Sequence, residues 1–331
     1  MKKTTKFMSA ALAAAMTLSL AACGSSAPAT NATEGTNASA DGTVYHVGIC
    51  QLVEHPALDA ATEGFQAALT EKLGDQVQFD VQNAQGDSPT CSTICTTFVA
   101  NDYDLILGNA TAALQAAVAA TSDIPILGTS ITDYATALSI DDWTGTTGMN
   151  VSGTSDLAPL DKQAECIKEL FPDAKNIGIL YCSAEPNSLY QADVITDALT
   201  DMGYTVKVYT FADSNDVASV TQSACDASDV LYIPTDNTAA SCTEAINNVA
   251  TKPIFAGEEG ICSGCGVATL SINYYDIGYQ AGLMGYEILV NGADPSTMDI
   301  QFAPQVVKKY NAANVEKYAL TIPDDYVAIE E

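Results

Sequence analysis

From Thr43 onward the chain alternates short runs of β-branched and aromatic residues with stretches of helical periodicity, and it does so in two successive sets. In the first set, "TVYHVGICQLV" leads to a helical pattern at 56–73, and "QVQFDVQNA" to one at 88–100. "YDLILGN" then leads to a pattern at 110–121, and "IPILGTS" to a further extended segment, "TGTTGMNVSG". After Asp156 the unit restarts with a helix at 158–170 and the strand "NIGILYCS", then a helix at 188–202 and "YTVKVYTF". A helix at 215–227 precedes "DVLYIPT", a helix at 239–249 precedes "PIFAG", and "GVATLSI" with a helix at 274–290 completes the pattern. A strand that reaches its parallel neighbour through a helix must do so by a right-handed crossover, which lays helices on both faces of a parallel sheet. The expected fold class is therefore α/β, with two doubly wound parallel-sheet lobes. A chain of 331 residues has room for both.

In open sheets of this kind ligands bind beyond the carboxyl ends of the strands. Those ends are polar here: Gln51 to His55, Asn83 to Asp87, Asn109 to Thr111 and Thr129-Ser130 in the first set, Glu185 to Asn187, Thr235 to Thr238 and Glu258-Glu259 in the second. Asn, Asp, Ser and Thr at such places also cap helices, and capping is the alternative for each one taken singly. Both sets, however, present polar residues at the same kind of edge. Glu54 and His55 stand where the first strand becomes a helix, and Pro56 suits the first helical turn. Gln51, Glu54 and His55 are assigned to ligand or lobe–lobe contact, with a capped turn as the alternative for His55.

The first forty residues read differently. Lys2, Lys3 and Lys6 precede a short apolar run that ends in Leu20-Ala21-Ala22-Cys23-Gly24. That is the pattern of a signal peptide, expected over 1–22, with the Leu-Ala-Ala-Cys ending of a bacterial lipobox. Cleavage would leave Cys23 as a lipid-modified N-terminus, followed by a small, polar tether over 23–42 with a reach of roughly 25 Å. No later stretch is long and apolar enough to cross a bilayer. The expected location is the outer face of the cell membrane, held only through the lipid.

Charge narrows the partners. All 12 basic residues are lysines, against 41 acidic residues. Nucleic acid and anionic surfaces are poor partners for such a field. With no arginine, no guanidinium fork can clamp a ligand carboxylate. Nine cysteines follow Cys23, and Cys50 and Cys182 lie in apolar runs that read as core. Cys262-Ser-Gly-Cys265 and the pair Cys91 and Cys95 are candidates for disulfides or a metal, with plain structural use favoured over metal. No cofactor is called for.

Taken with the lipobox and tether, "VEHPALDAATEGF", "GNATAAL", "GTSITD", "NVSGTSDLAP", "IPTDNT" and "INYYDIGYQAG" make the chain resemble the ABC-transporter substrate-binding lipoproteins that include tryptophan- and tyrosine-binding proteins. The resemblance spans essentially all of the chain after Cys23, and the cysteine-bearing "EEGICSGCGVATL" departs from it. It implies the type I periplasmic-binding-protein architecture, two lobes joined by a three-strand hinge, with ligand in the cleft and an ABC permease with its ATPase as partners. Carried over by position, the chain crosses near 152–156, returns near 257–266 and crosses again near 291–298. Lobe one is then 43–152 with 262–293, and lobe two 153–261 with 294–331.

An amino-acid ligand fits the cleft residues. Helix N-termini and hydroxyls at Asn109, Ala110, Thr111, Thr129 and Ser130 suit a carboxylate. Asp236 and Glu258 suit an ammonium, with Asp236 expected to be dispensable for capping because Asn237 or Thr238 can do it. Thr154, Ser155, Asp156, Asn187, Asn237 and Tyr274 complete the expected lining, with Tyr134, Trp143, Tyr274 and Tyr275 as stacking candidates. A nucleoside or sugar ligand is the alternative, as is a sensing module for a membrane receptor. An enzyme is disfavoured, since neither GxSxG, HExxH nor a P-loop occurs.

Overall fold

The computed structural model describes residues 42–330, so the signal peptide, Cys23 and most of the tether lie outside the described residues. The chain opens with β1 (Tyr45–Gln51), α1 (Pro56–Leu73), β2 (Val77–Asn83), α2 (Ser88–Ala100), β3 (Leu105–Asn109) and α3 (Thr111–Ala120). Next come β4 (Ile126–Ile131), α4 (Tyr134–Leu138), β5 (Val151–Ser155), α5 (Leu160–Leu170), β6 (Asn176–Cys182) and α6 (Pro186–Asp201). β7 (Thr205–Phe211), α7 (Val217–Ala227), β8 (Val230–Ile233), α8 (Asn237–Ser241), α9 (Thr243–Val249) and β9 (Ile254–Ala256) follow. The remainder is α10 (Glu259–Gly264), β10 (Ala268–Ser271), α11 (Tyr274–Asn291), β11 (Gln301–Phe302), β12 (Val307–Tyr310), α12 (Ala312–Lys317) and β13 (Val327–Ala328).

Two sheets result. The first has the order β11-β5-β4-β3-β1-β2 and the second β13-β12-β10-β9-β8-β6-β7. Their pairings are parallel except for β10 with β12. Side-chain alternation along the strands separates two cores in the first lobe. Val47, Ile49, Leu105 and Leu107 face α1 and α11, packing on Phe65, Leu69, Ala281 and Met284. Cys50 and Ile106 face α2 and α3, packing on Phe98, Leu114 and Ala117. The second lobe divides in the same way. Ile177 and Ile179 meet α5 and α6, whereas Leu180, Leu231 and Ile233 meet α7 to α10.

The chain passes between the sheets three times, but the second and third passages differ from those expected. β10 pairs in parallel with β9, placing residues 268–271 in the second sheet, whereas the expected boundary assigned 262–293 whole to lobe one. The return therefore falls at Ile272-Asn273. α11 packs on α1, and β11 pairs with β5, so the last passage follows Phe302 rather than falling near 291–298. The first also follows Ser155, so all of β5 belongs to the first sheet. A four-residue strand buried on both faces carries no periodicity that says which sheet holds it. The single helix expected at 239–249 is two, α8 and α9, broken at Cys242, whose ψ of 16° departs from helical values.

α1 and α11 approach so closely that glycine is required. A Cβ on Gly278 would stand 2.0 Å from the Ala61 carbonyl oxygen, and one on Gly64 2.1 Å from that of Tyr275.

Candidate ligand-binding cleft

The carboxyl ends of both sheets face each other across a cleft in which the lobes touch. His55, the residue before α1, sets its Nε2 3.3 Å from Oδ1 of Asn237, the first residue of α8. α4 of lobe one packs on α6 of lobe two. These contacts describe a closed cleft.

Lobe one brings three strand ends together. Register places Asn109 between Gln51 and Thr129. Ala110 (φ 86°) and Ser130 (φ 58°) are held in left-handed backbone, sharp turns that aim the residues after β3 and within β4. α3 begins at Thr111 with no side-chain cap, although Ala110 and Thr111 are buried. The leading N–H groups of a helix are left without intrahelical partners, and here no cap serves them. Three buried polar atoms on this side of the cleft also have no protein partner: Asn109 Oδ1, Ser130 Oγ and His55 Nδ1. Thr129 accepts from the Thr154 hydroxyl at 3.0 Å, and Ser155 donates to the Thr132 carbonyl at 2.9 Å, so these hydroxyls stitch β4 to β5.

Two expected contacts lie elsewhere. Gln51 donates to the Val53 carbonyl and to Asp59, and accepts from Thr62, which fixes α1 on β1. Glu54 is exposed and lines, with Gln51, a depression formed wholly by lobe-one residues. Among the stacking candidates, Trp143 is 39% exposed and Tyr275 stacks on Tyr279 along α11. Tyr134 is core, its hydroxyl bound to the Thr154 carbonyl against Gly128 and Gly153. Tyr274 lines a cleft cavity of about 510 Å³ bounded also by Pro56, Ala57, Glu258 and Ile272.

Asp236 overturns the expectation that capping does not need it. It is the N-cap of α8, accepting from the Ala239 N–H at 2.7 Å, and its other oxygen accepts from the Cys182 N–H at 2.7 Å and the Ser188 hydroxyl at 2.8 Å. Burial, then the nearby Glu185, pushes its carboxyl up to about 8. Asn237 cannot replace it, because its amide donates to Glu185 at 2.8 Å. Glu185 itself was not singled out from sequence. It accepts from the N–H groups of Asn237 and Thr238, the Thr238 hydroxyl and the amides of Asn237 and Asn187. An acidic residue just before a helix-opening proline was the available signal.

Asp156 and Glu258 are the remaining buried acids. Asp156 follows β5 and is 4% exposed, accepting from the Thr132 and Tyr274 hydroxyls at 3.0 Å each. Glu258 follows β9, is 2% exposed, and accepts from the N–H groups of Gly260 and Ile261 at the head of α10. Burial raises Asp156 to about 6. Burial, followed by the charges of Glu259 and Asp156, raises Glu258 to about 7. Neither enters an ion pair among the described residues, where Lys72, Lys162, Lys308 and Lys309 pair with other acids.

Two doubly wound lobes that close on a polar, partner-poor cleft define a two-lobed ligand-capture protein. Residues 46–329 match the profile of the ABC transporter substrate binding protein family, and the chain belongs to that family. It is a family of binding proteins rather than enzymes. A tyrosine-binding protein of Clostridioides difficile (strain R20291) is 41% identical over 250 residues, 74% of this chain and 72% of the relative. A Streptococcus pneumonia ABC domain solved in complex with L-Trp is 32% identical, with 85% of this chain and 97% of that one covered and a TM-score of 0.81. A ligand-free, open substrate binding protein with adhesive properties from Clostridium difficile is 36% identical over 87% and 99% of the chains, yet its TM-score is 0.67. The better match to the loaded structure, despite lower identity, agrees with the closed cleft.

Proposed function

We propose that the protein captures an aromatic amino acid outside the cell and delivers it to an ABC permease driven by its ATPase. The carrying observation is the buried pair Asp156 and Glu258, one from each side of the cleft, neither with a cationic partner among the described residues. A buried carboxylate needs a cation or strong donors, and a ligand ammonium supplies both. The ligand carboxylate then lies at the uncapped start of α3 with Ser130 Oγ, where orphan N–H groups and the helix dipole favour an anion. One zwitterion thus joins the lobes. The cavity beside Tyr274 has room for a large side chain. The tyrosine-binding relative and the relative solved with L-Trp support the aromatic class.

We further propose that residues 1–22 are a signal peptide and that Cys23 carries the lipid that holds the protein at the outer face of the membrane. The crossings between lobes act as the hinge. The ligand reading is tested by thermal shift of the ligand-stripped protein against the twenty amino acids, sugars and nucleosides. Aromatic amino acids are expected to raise the midpoint, by about 2.7 kcal/mol of stabilisation at a hundredfold excess over Kd. A sugar or nucleoside that does so while no amino acid does overturns the proposal. Anchoring is tested by the intact mass of the native protein, which should show a diacylglyceryl-modified Cys23.

A further inference from the structure

Resting on the aromatic amino-acid reading, the geometry points to His55 as the residue that selects among aromatic ligands, by accepting a hydrogen bond at Nδ1 from the N–H or O–H of the ligand side chain.

The protonation of the imidazole follows from its neighbours. Glu185 is a carboxylate that takes donors at both oxygens, so the Asn237 atom facing it at 2.8 Å must be the NH₂ group. The amide oxygen of Asn237 therefore faces His55, at 3.3 Å from Nε2. An amide oxygen only accepts, so Nε2 carries the hydrogen. Burial lowers the imidazole from its ordinary value, which favours the neutral ring. Its second nitrogen is then a bare lone pair. That nitrogen is buried in a residue 6% exposed, and among the described residues no group donates to it.

A buried acceptor left without a donor costs about 1–3 kcal/mol. The same atom becomes a selective contact when a ligand supplies the donor. Position agrees with this. In sequence His55 falls between Leu52 and Val53, which line a cavity of about 290 Å³ with Asn237, and Pro56 and Ala57, which line the larger one with Glu258 and Tyr274. The ammonium is met by Asp156 and Glu258, and the carboxylate by α3 and Ser130. The donor left to reach His55 is the one on the side chain. Tyrosine carries a phenol O–H and tryptophan an indole N–H. Phenylalanine carries neither.

Calorimetry with L-tyrosine, L-tryptophan and L-phenylalanine on the ligand-stripped full chain tests this. L-phenylalanine is expected to bind about 10- to 100-fold more weakly than the better of the other two, as a site built around a ligand donor rejects the analogue that lacks it. His55→Gln keeps an N–H donor near the Nε2 position toward Asn237 and removes the Nδ1 acceptor. It should weaken the preferred ligand, leave L-phenylalanine within about threefold of its original affinity, and so remove most of the discrimination. Equal binding of all three by the unmodified protein overturns the role of His55 while leaving aromatic capture standing, and needs no variant. Discrimination kept in full by a folded His55→Gln protein overturns it as well. Failure of all three to bind removes the aromatic reading and this inference together.

Discussion

Tyr274 donates its hydroxyl hydrogen to Asp156 at 3.0 Å, and the two residues mark successive passages between the lobes. Asp156 stands where the chain leaves lobe one after β5, and Tyr274 where it returns to begin α11. The bond ties two connecting segments at the base of the cleft and holds the Asp156 carboxylate toward the space that Glu258 approaches from the other lobe. The acid is thereby positioned by the same segments on which the lobes turn.

Asp156→Asn separates binding from folding. The amide keeps an acceptor for one of the two hydroxyls, turns an NH₂ group toward the other, and removes a buried charge. Affinity for an aromatic amino acid is expected to fall by about 2–4 kcal/mol, the range for a charge-assisted bond lost inside a closed site. The melting midpoint of the ligand-free protein should stay level or rise. Calorimetry and thermal melts on the same preparation check both halves. Unchanged affinity would move the ammonium away from Asp156.

Asp236→Ala should act in the opposite sense. It removes the cap of α8 and leaves the Cys182 N–H and Ser188 hydroxyl without their acceptor. The expected loss is about 2–4 kcal/mol of stability, read from urea unfolding. Residual folded protein should bind with affinity reduced far less than in Asp156→Asn.

Acidity supplies a third test. Glu258 and Asp236 are raised to about 7 and 8 from ordinary values of 4.5 and 3.8. Between those limits the folded state holds more protons than the unfolded chain. Stability of the ligand-free protein therefore falls as pH rises through 7 and levels off above about 8, a fall read between 6.5 and 8.5. Below 6.5 the lowered His55 works against this trend, because its protonation favours the opened or unfolded state. Affinity for the zwitterion should rise over the same 6.5 to 8.5 interval, as ionised Glu258 better meets an ammonium. Urea midpoints and calorimetry at the two ends measure each. Parallel, rather than opposed, trends would contradict the assignment.

Gly278→Ala tests the helix pair. The added methyl group meets backbone of α1 at 2.0 Å, which no rotamer can relieve. A destabilisation of about 3 kcal/mol is expected, at the upper end for overpacking, by urea unfolding.

Much of the architecture was legible because period-2 strands and longer helical stretches alternate without interruption. α1 and α2 start and stop where the sequence pattern does. What was not legible is long-range choice. Nothing in "ATLS" reveals that it slots between β9 and β12, since a strand buried on both faces lacks a polar side. The sequence pointed to the polar strand ends, and of the residues named there and beside them His55, Asn109, Ser130, Asp156, Asn237, Glu258 and Tyr274 are buried. Their roles were not legible, because one acid can cap a helix, tie two strands or await a cation, and only the positions of donors decide. Asp236 is surrounded by backbone N–H groups, while Asp156 meets only hydroxyls.

The packing of α11 on α1 bears on how the chain is made. The inner core of lobe one needs Ala281, Met284 and Ile288 against Val47, Ile49 and Leu69. Those partners are more than two hundred residues apart. A chain that emerges N-terminus first therefore cannot finish its first lobe until almost all of it has been synthesised. Until then α1 lacks the helix that fills its glycine groove, and lobe one cannot reach its final packing. The discontinuous lobe acts as a timer that postpones its own completion until the last part of the chain has emerged.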